Sequence, residues 1–422
     1  MRESPHFQRR FSRIAFGVLN SPLAIFIVAL LARLRVMEQL LPGNAWRGFY
    51  ANNESARIAW AVASGFGFSS PWPRTPLLPT AVEPPVYPYL LAGIFKLAGA
   101  YSDLSLWLAV ELNAVFSALT AVLLYHLGRR VFGTSTGMLA AWIWAIWLYP
   151  AVVSIRLWES SLSALLLVIA LLLLLKVVDS SLTWRWLLFG GLAGFAALTN
   201  TTFLSLLPPF WLWLWITHRR RGLSCGKLLW PSVAVSLLIL TPWTIRNYAT
   251  FHRLIPVRDN LELELWIGNH KGVAKLYEFS NTFPLIDPAE YNRLGEIGFM
   301  EANRDVALQF IRQHPGGFLR FCGQRCYAYW TTPDPSQWLP ISMLAWVGAI
   351  IGLWRKQPDA IPFAIVLIMF PLIYYATHTW PTYRHPMEPV MVLLAVYAVL
   401  SALEPLVWRY RAVDGRGRVV TE

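Results

Sequence analysis

Charged residues are scarce in this chain. Of its 422 residues, 14% are Asp, Glu, Lys or Arg and 56% are hydrophobic, where a soluble domain carries roughly 25% charged residues. Too little polar surface is available to face water, which excludes an ordinary soluble enzyme and points to lipid as the solvent. Cysteine is nearly absent, with three in all, so no disulfide framework holds the fold. Cys322 and Cys326 stand at i, i+4, a spacing of neighbours on one helix face rather than of a disulfide. No metal-ligand pattern surrounds them or Cys225. No Gly-rich phosphate loop appears, which argues against a nucleotide-linked substrate. No internal repeat is detectable, which counts against transporter folds built from duplicated halves. The first apolar run lacks a small-residue cleavage site and is expected to remain as an anchor.

What is present is a series of apolar runs, about ten of them long enough to cross a bilayer as helices. They cover approximately 14–41, 104–128, 135–153, 159–177, 185–199, 201–217, 227–246, 338–354, 361–377 and 387–407. Only Asn200 separates the fifth from the sixth, and the topology favours two spans over one interrupted span. A net charge of +13 is compatible with nucleic acid, but the basic residues are placed otherwise. Arg9, Arg10 and Arg13, Arg129 and Arg130, Arg219 to Arg221 with Lys227, Arg355 and Lys356, and Arg409, Arg411, Arg416 and Arg418 all fall on one side. The positive-inside rule makes that side cytoplasmic. Arg33 and Arg35, near the outer end of the first run, are not explained by it. The expectation is an all-α polytopic membrane protein with two extracytoplasmic loop regions, about 42–103 and 247–337. The chain divides into an N-terminal membrane module (1–246), an extracytoplasmic helical region (247–337) and C-terminal membrane helices with a tail (338–422).

Long outer loops are usually functional. In the first, Asn53 or Ser55 is placed to cap a short surface helix ending near Gly65 and Gly67. The prolines up to Tyr87 then forbid regular helix, and a second interfacial helix follows from Pro88 to about Gly99. In the second, Asp287 and Pro288 open a helix that reads on to Pro315, and a basic helix leads back to the membrane.

Glu54 leads the candidates for a general base, since a carboxylate beside apolar surface has its pKa raised toward the working range. Asn52, Asn53 and Arg57 stand ready to orient it or its substrate; a solvated loop capping a helix fits the same residues. "EPPVYP", Glu83 to Pro88, joins a carboxylate and Tyr87 to stiff backbone and reads as a cavity wall, with direct catalysis by Glu83 as the alternative. Glu111 and Glu159 lie within or beside apolar runs, where acids are functional candidates by default. Glu111 is expected to face other helices, and Glu159 either serves the site or pairs with Arg156. "TYRHPMEP" sets Arg384, His385 and Glu388 at the outer entrance of the last run, and "TPWTIRNY" sets Arg246 at a similar depth. Arg presents a planar fork that suits phosphate oxygens; an interfacial anchor is the other reading of these residues.

Several stretches together resemble one family: "NESARIAWAVASGFGF" with "PPVYPYLLAG", "YHLGRRVFG", "TPWTIRNYATFHRLIPV" with "LWIGNH", "ALQFIRQHPGGFLRF" and "YRHPMEPVMVLLA". They look like the GT-C membrane glycosyltransferases, in the branch related to protein O-mannosyltransferases and the lipid A aminoarabinose transferase. The resemblance spans most of the chain and rests on the order of motifs that are weak singly. It implies an inverting transferase of the bacterial inner membrane, with both termini cytoplasmic, that takes a sugar from a polyprenyl-phosphate carrier on the outer face. The acceptor is then a lipid, glycan or protein hydroxyl, and nucleic acid is not a partner. In that family an acidic residue of the first outer loop, usually Asp followed by Glu, activates the acceptor. Here the pair reads Asn53-Glu54, so Glu54, Glu83 or Glu159 takes the role or activity is altered. Arg384, with Arg246 or His385, is expected to hold the departing phosphate, and Glu54 and Arg384 are expected to line one outward-facing cavity. No cofactor is assigned, and a divalent metal is left open. The alternatives are a transporter or flippase of lipid-linked sugars and a catalytically silent lipid-phosphate-binding relative.

Overall fold

The computed structural model describes residues 17–41, 53–72, 77–222, 226–271 and 287–411, with side chains to 404. Asn52, Cys225, Arg9, Arg10, Arg13, Arg416 and Arg418 lie outside the described residues, as do the side chains of Arg409 and Arg411. Within them the architecture is helical, with one isolated β-bridge, Ser69 to Pro79.

All ten apolar runs form helix: Pro22–Leu40, Asp103–Val131, Thr134–Ile146 with Leu148–Ser154, Ser160–Val177, Thr183–Thr199, Phe203–Arg220, Gly226–Phe251, Pro335–Trp354, Ile361–Met369 with Leu372–Ala376, and Glu388–Arg411. Among the described residues, six of these segments are long and apolar enough to cross a membrane, or seven when the bent pair Thr134–Ile146 and Leu148–Ser154 counts as one span. Of the other three, Pro22–Leu40 carries Arg33, Arg35 and Glu38, Thr183–Thr199 has 17 residues, and Phe203–Arg220 contains Pro208 and Pro209 and a basic last turn. Asn200 does separate two helices, adopting extended backbone between them.

Arg33 has a structural explanation. It is fully buried, and its guanidinium donates to Ser117 Oγ at 2.9 Å, Trp144 O at 2.9 Å and Ala145 O at 2.6 Å. The last carbonyls of a helix have no partner within it. Here a cation from another helix receives those of Thr134–Ile146, just before the 56° bend. Elsewhere small residues let backbones meet: a Cβ on Gly190 would lie 2.1 Å from Ser232 O, and one on Gly348 2.1 Å from Leu394 O.

The two long regions between membrane helices fold back onto this bundle. Asn53 caps helix Glu54–Ala63, its Oδ1 accepting the Ala56 N–H at 3.0 Å, and Ser64 closes it. That helix is not a surface helix as expected. Ser55, Ala56, Ile58, Ala59 and Ala61 are buried, and it packs against helix Val86–Ala98. Between these helices the chain pairs with itself, with Ser70 N–H on Leu78 O at 2.8 Å and Thr80 N–H on Phe68 O at 3.0 Å. In the second region Asp287 caps helix Pro288–Gln313, which kinks at Gly295, where φ is 69°. Helix Pro315–Thr331 follows, carrying Cys322 and Cys326 as free thiols.

Candidate active site

A cavity of about 390 Å³ opens where the first of these long regions, the 256–267 segment and the ends of several membrane helices converge. Its lining carries Glu54, Glu83, Glu159, Arg258, Glu264 and His378 together with apolar residues such as Leu204, Leu263 and Ile373. The lining thus offers both charge and apolar surface.

Glu54 is the first residue of its helix and Glu83 follows the hairpin; Glu83 is 6% exposed. Ser55 donates its hydroxyl to Glu83 Oε2 at 2.6 Å, and the Glu54 carboxyl hydrogen-bonds the Glu83 carboxyl. Burial, reinforced by the Glu83 charge, pushes Glu54 well above the usual carboxylate range. Burial also raises Glu83, although the Ser55 hydroxyl, Arg258 and Glu54 oppose it. Of the two, Glu54 is therefore the one that burial and its neighbour favour in the protonated form.

Glu159 is the residue before helix Ser160–Val177. Burial, then the Glu83 charge, push it up to about 8. Asn200 Nδ2 donates to its Oε1 at 3.3 Å, and of the two readings of Glu159 the structure favours a place in the cavity over a pair with Arg156. Tyr87 lines the cavity floor, buried, its hydroxyl accepting from Asn113 Nδ2 at 2.8 Å.

Three further site residues did not emerge from the sequence. Arg258 donates Nε–H to Val82 O at 3.1 Å and holds Nη2 3.7 Å from Glu264 Oε1. Glu264 lies 2.6 Å from His378 Nδ1. Burial works to raise Glu264, but His378 and Arg258 outweigh it and hold it below the usual carboxylate range. The cavity thus brings together two carboxyl groups raised by burial and a cation, Arg258, held near Glu264.

Other candidates lie elsewhere. Arg384 does not line the cavity with Glu54, contrary to expectation. It is 1% exposed and fully engaged: Nε–H on Glu388 Oε1 at 3.2 Å, Nη2–H on Thr332 O at 2.6 Å, Nη1–H on Tyr329 O, and its plane 3.7 Å from the Trp338 ring centre. His385 is fully buried, with Nδ1 2.7 Å from Glu388 Oε2. Glu388 thus bonds both Arg384 and His385 inside the protein. Arg246 donates to Thr80 O at 2.6 Å and Phe68 O at 3.0 Å and so clamps the hairpin. Arg57 donates to Trp72 O at 3.4 Å, outside the cavity lining. Asn53 is a helix cap, and Glu111 is exposed on the outward face of its helix rather than turned to its neighbours. Among the described residues no group of three or more His, Cys, Asp or Glu is arranged to hold a metal ion.

Residues 82–245, which include Glu83, Tyr87 and Glu159, match the family described as dolichyl-phosphate-mannose-protein mannosyltransferase. Among solved structures, the chain is similar to the Archaeoglobus fulgidus oligosaccharyltransferase AglB in complex with an inhibitory peptide and a dolichol-phosphate. That match has a TM-score of 0.56 at 14% identity, covering 95% of this chain and 52% of that one. The same enzyme tethered to an acceptor peptide with the NVT sequon gives 0.56 at 16%, with coverage of 95% and 52%. ArnT from Cupriavidus metallidurans bound to undecaprenyl phosphate gives 0.49 at 17%, with coverage of 95% and 62%. The chain spans about half the length of the oligosaccharyltransferase chains. No curated protein matches it by sequence. At such identities the likeness is one of fold: over nearly its whole length the chain shares the fold of these membrane transferases, and over residues 82–245 it also matches the mannosyltransferase family.

Proposed function

We propose that the protein transfers a sugar from a polyprenyl-phosphate-linked donor to an acceptor hydroxyl at the extracytoplasmic face, with inversion. The observation that carries this reading is the cavity itself, whose lining brings the Glu54–Glu83 pair and Arg258 together with apolar side chains. The family description names a lipid-phosphate sugar, and the AglB complex holds a dolichol-phosphate. A bacterial inner membrane with both termini cytoplasmic agrees with the distribution of basic residues.

In the proposed step the acceptor oxygen attacks the anomeric carbon. Its proton passes to Glu54 while the Glu54 proton moves to Glu83, so the pair gains one proton. The bond from the anomeric carbon to the phosphate oxygen breaks, and the polyprenyl phosphate leaves with the electron pair beside Arg258. A positioned base contributes about 10²- to 10⁴-fold, and a donor aimed at developing phosphate charge adds to it. Asn53, fixed as a cap, has no part in proton transfer. Arg258 takes the phosphate role that the sequence suggested for Arg384.

The test is purified protein in liposomes with a panel of polyprenyl-phosphate sugars. Wild type releases sugar, and Glu54→Gln, which can still donate to Glu83, retains lipid binding while turnover falls by about 10²- to 10⁴-fold. Equal release by the variant removes Glu54 as the base. Lipid binding without release by wild type identifies the silent relative, and movement of the intact donor across the bilayer identifies the flippase.

A further inference from the structure

A second pair of carboxyl groups lies buried behind the cavity wall, outside the proposed chemistry. Asp259 is 8% exposed and Glu296 6% exposed. Asp259 follows Arg258, and Glu296 follows the Gly295 kink of helix Pro288–Gln313. Glu296 is fully supplied with donors: the Ala81 N–H at 2.6 Å, the Tyr291 hydroxyl at 2.9 Å and the Thr80 hydroxyl. These donors favour its charged form, but burial is the larger effect and raises Glu296 above the usual carboxylate range. Neither Asp259 carboxyl oxygen receives a hydrogen bond from any described donor, and its neighbour is the Glu296 carboxylate. A buried charge with no donor is costly, so Asp259 retains its proton and gives it to Glu296. Burial, then the Glu296 charge, push Asp259 well above the usual range.

The pair is joined to the cavity through backbone. Asp259 N–H donates to Ala81 O at 3.0 Å, and Arg258 Nε–H to Val82 O, so the 258–259 segment lies along 80–83. Arg258 and Glu83 line the cavity from these two segments, and Asp259 and Glu296 both bond to Ala81, two residues before Glu83. The other charged or titratable groups facing the pair are Arg246 from helix Gly226–Phe251, Glu262 from helix Leu261–Gly268, Tyr291 and Arg258. Arg246 is committed to the hairpin carbonyls, and burial raises the Tyr291 phenol, so it stays a donor. Farther out, Arg253 and Glu301, 2.7 Å apart, tie the same helix to the end of Gly226–Phe251.

We propose that Asp259 and Glu296 form a proton-sharing latch that clamps helix Pro288–Gln313 to the first outer loop and positions Arg258 and Glu83 at the cavity. The catalytic meaning of Arg258 and Glu83 rests on the proposed reaction; the latch does not. An acid whose pKa is raised on folding binds an extra proton in the folded state above its ordinary value of about 3.9. The latch is therefore complete at acid pH and is lost as pH rises through the raised value.

The experiment is amide hydrogen exchange on the full-length protein in nanodiscs across a pH series, corrected for intrinsic rates and read in peptides covering 77–83, 257–264 and 288–300. Wild type loses at least tenfold of its protection there on the alkaline side, while Asp259→Asn, a neutral donor that cannot titrate, holds it level. Glu296→Gln, which offers an amide to three donors, is less protected at every pH. Protection that does not vary with pH in wild type, or Asp259→Asn following the wild-type curve, overturns the latch; these two arms decide even if Glu296→Gln does not fold. A protein with this exchange profile but no glycosyl transfer keeps the latch and refutes the reaction, and the converse pattern does the opposite.

Discussion

Substituting Gly268 by Ala tests whether the cavity depends on one close backbone contact. Gly268 ends helix Leu261–Gly268, which carries Glu264. A Cβ there would stand 1.8 Å from Thr377 O and 3.2 Å from Arg325 Nη1, where ordinary contact begins at 3.4 Å. Either that helix or the 375–378 segment bearing His378 must move. Both are pinned by Arg325, fully buried, which donates to Gly268 O at 2.9 Å, Asn269 Oδ1 at 2.7 Å, Ala376 O at 2.6 Å and Tyr375 O at 3.1 Å. Overpacking costs about 1–3 kcal/mol, and a lost hydrogen bond to a buried guanidinium about 1.5–3 kcal/mol. The displacement also separates Glu264 from His378, now 2.6 Å apart, and so disturbs the anchor of Arg258. The assay is thermal unfolding in detergent, followed by the fluorescence of the 22 tryptophans, paired with polyprenyl-phosphate binding. Gly323→Ala is the control: nothing lies within 4 Å of its Cβ, on the same helix as Arg325, and it stabilises by about 0.5–1 kcal/mol through helix propensity. Gly268→Ala melts several degrees below wild type and binds lipid phosphate weakly. If it melts with Gly323→Ala and binds normally, the contact does not hold the cavity together.

Two further outcomes follow from the positions of the arginines and acids. Arg258→Gln lowers polyprenyl-phosphate affinity at least tenfold with little change in melting, whereas Arg384→Ala, which strands Glu388 inside the protein, costs about 3–5 kcal/mol of stability; the reverse pattern would return Arg384 to the phosphate. Polyprenyl-phosphate affinity falls as pH rises, because the Glu54–Glu83 pair and Glu159, raised to about 8, hold protons at low pH and each loss adds negative charge to the cavity. A titration that is flat with pH, or stronger at alkaline pH, refutes that coupling.

The difference between what could and could not be read from the sequence lies in how local each signal is. Membrane helices announce themselves by continuous apolar length, and the caps at Asn53 and Asp287 by a polar residue before a periodic run. Glu54, Glu83 and Glu159 were legible because each interrupts an apolar or proline-stiffened setting. Arg384 and His385 drew attention for the same reason, but Glu388 stands at i+4 and i+3 from them, within reach on one helical face. That spacing signalled groups that bond one another during burial, and it outweighs their place at a span entrance. Arg258, Glu264 and His378 gave no comparable sign, since "VRDNLELE" alternates charge like any solvated segment and His378 merely ends an apolar run. What makes them a site is pairing across more than a hundred residues, Glu264 with His378, after Arg325 has drawn their two segments together. Buried arginine was the available clue. In a chain with so few charges, Arg33, Arg325 and Arg384 sit almost wholly inside, each bonding backbone carbonyls of another segment. An arginine within an apolar or aromatic run therefore marks a junction between distant segments, and at Arg325 that junction borders the cavity.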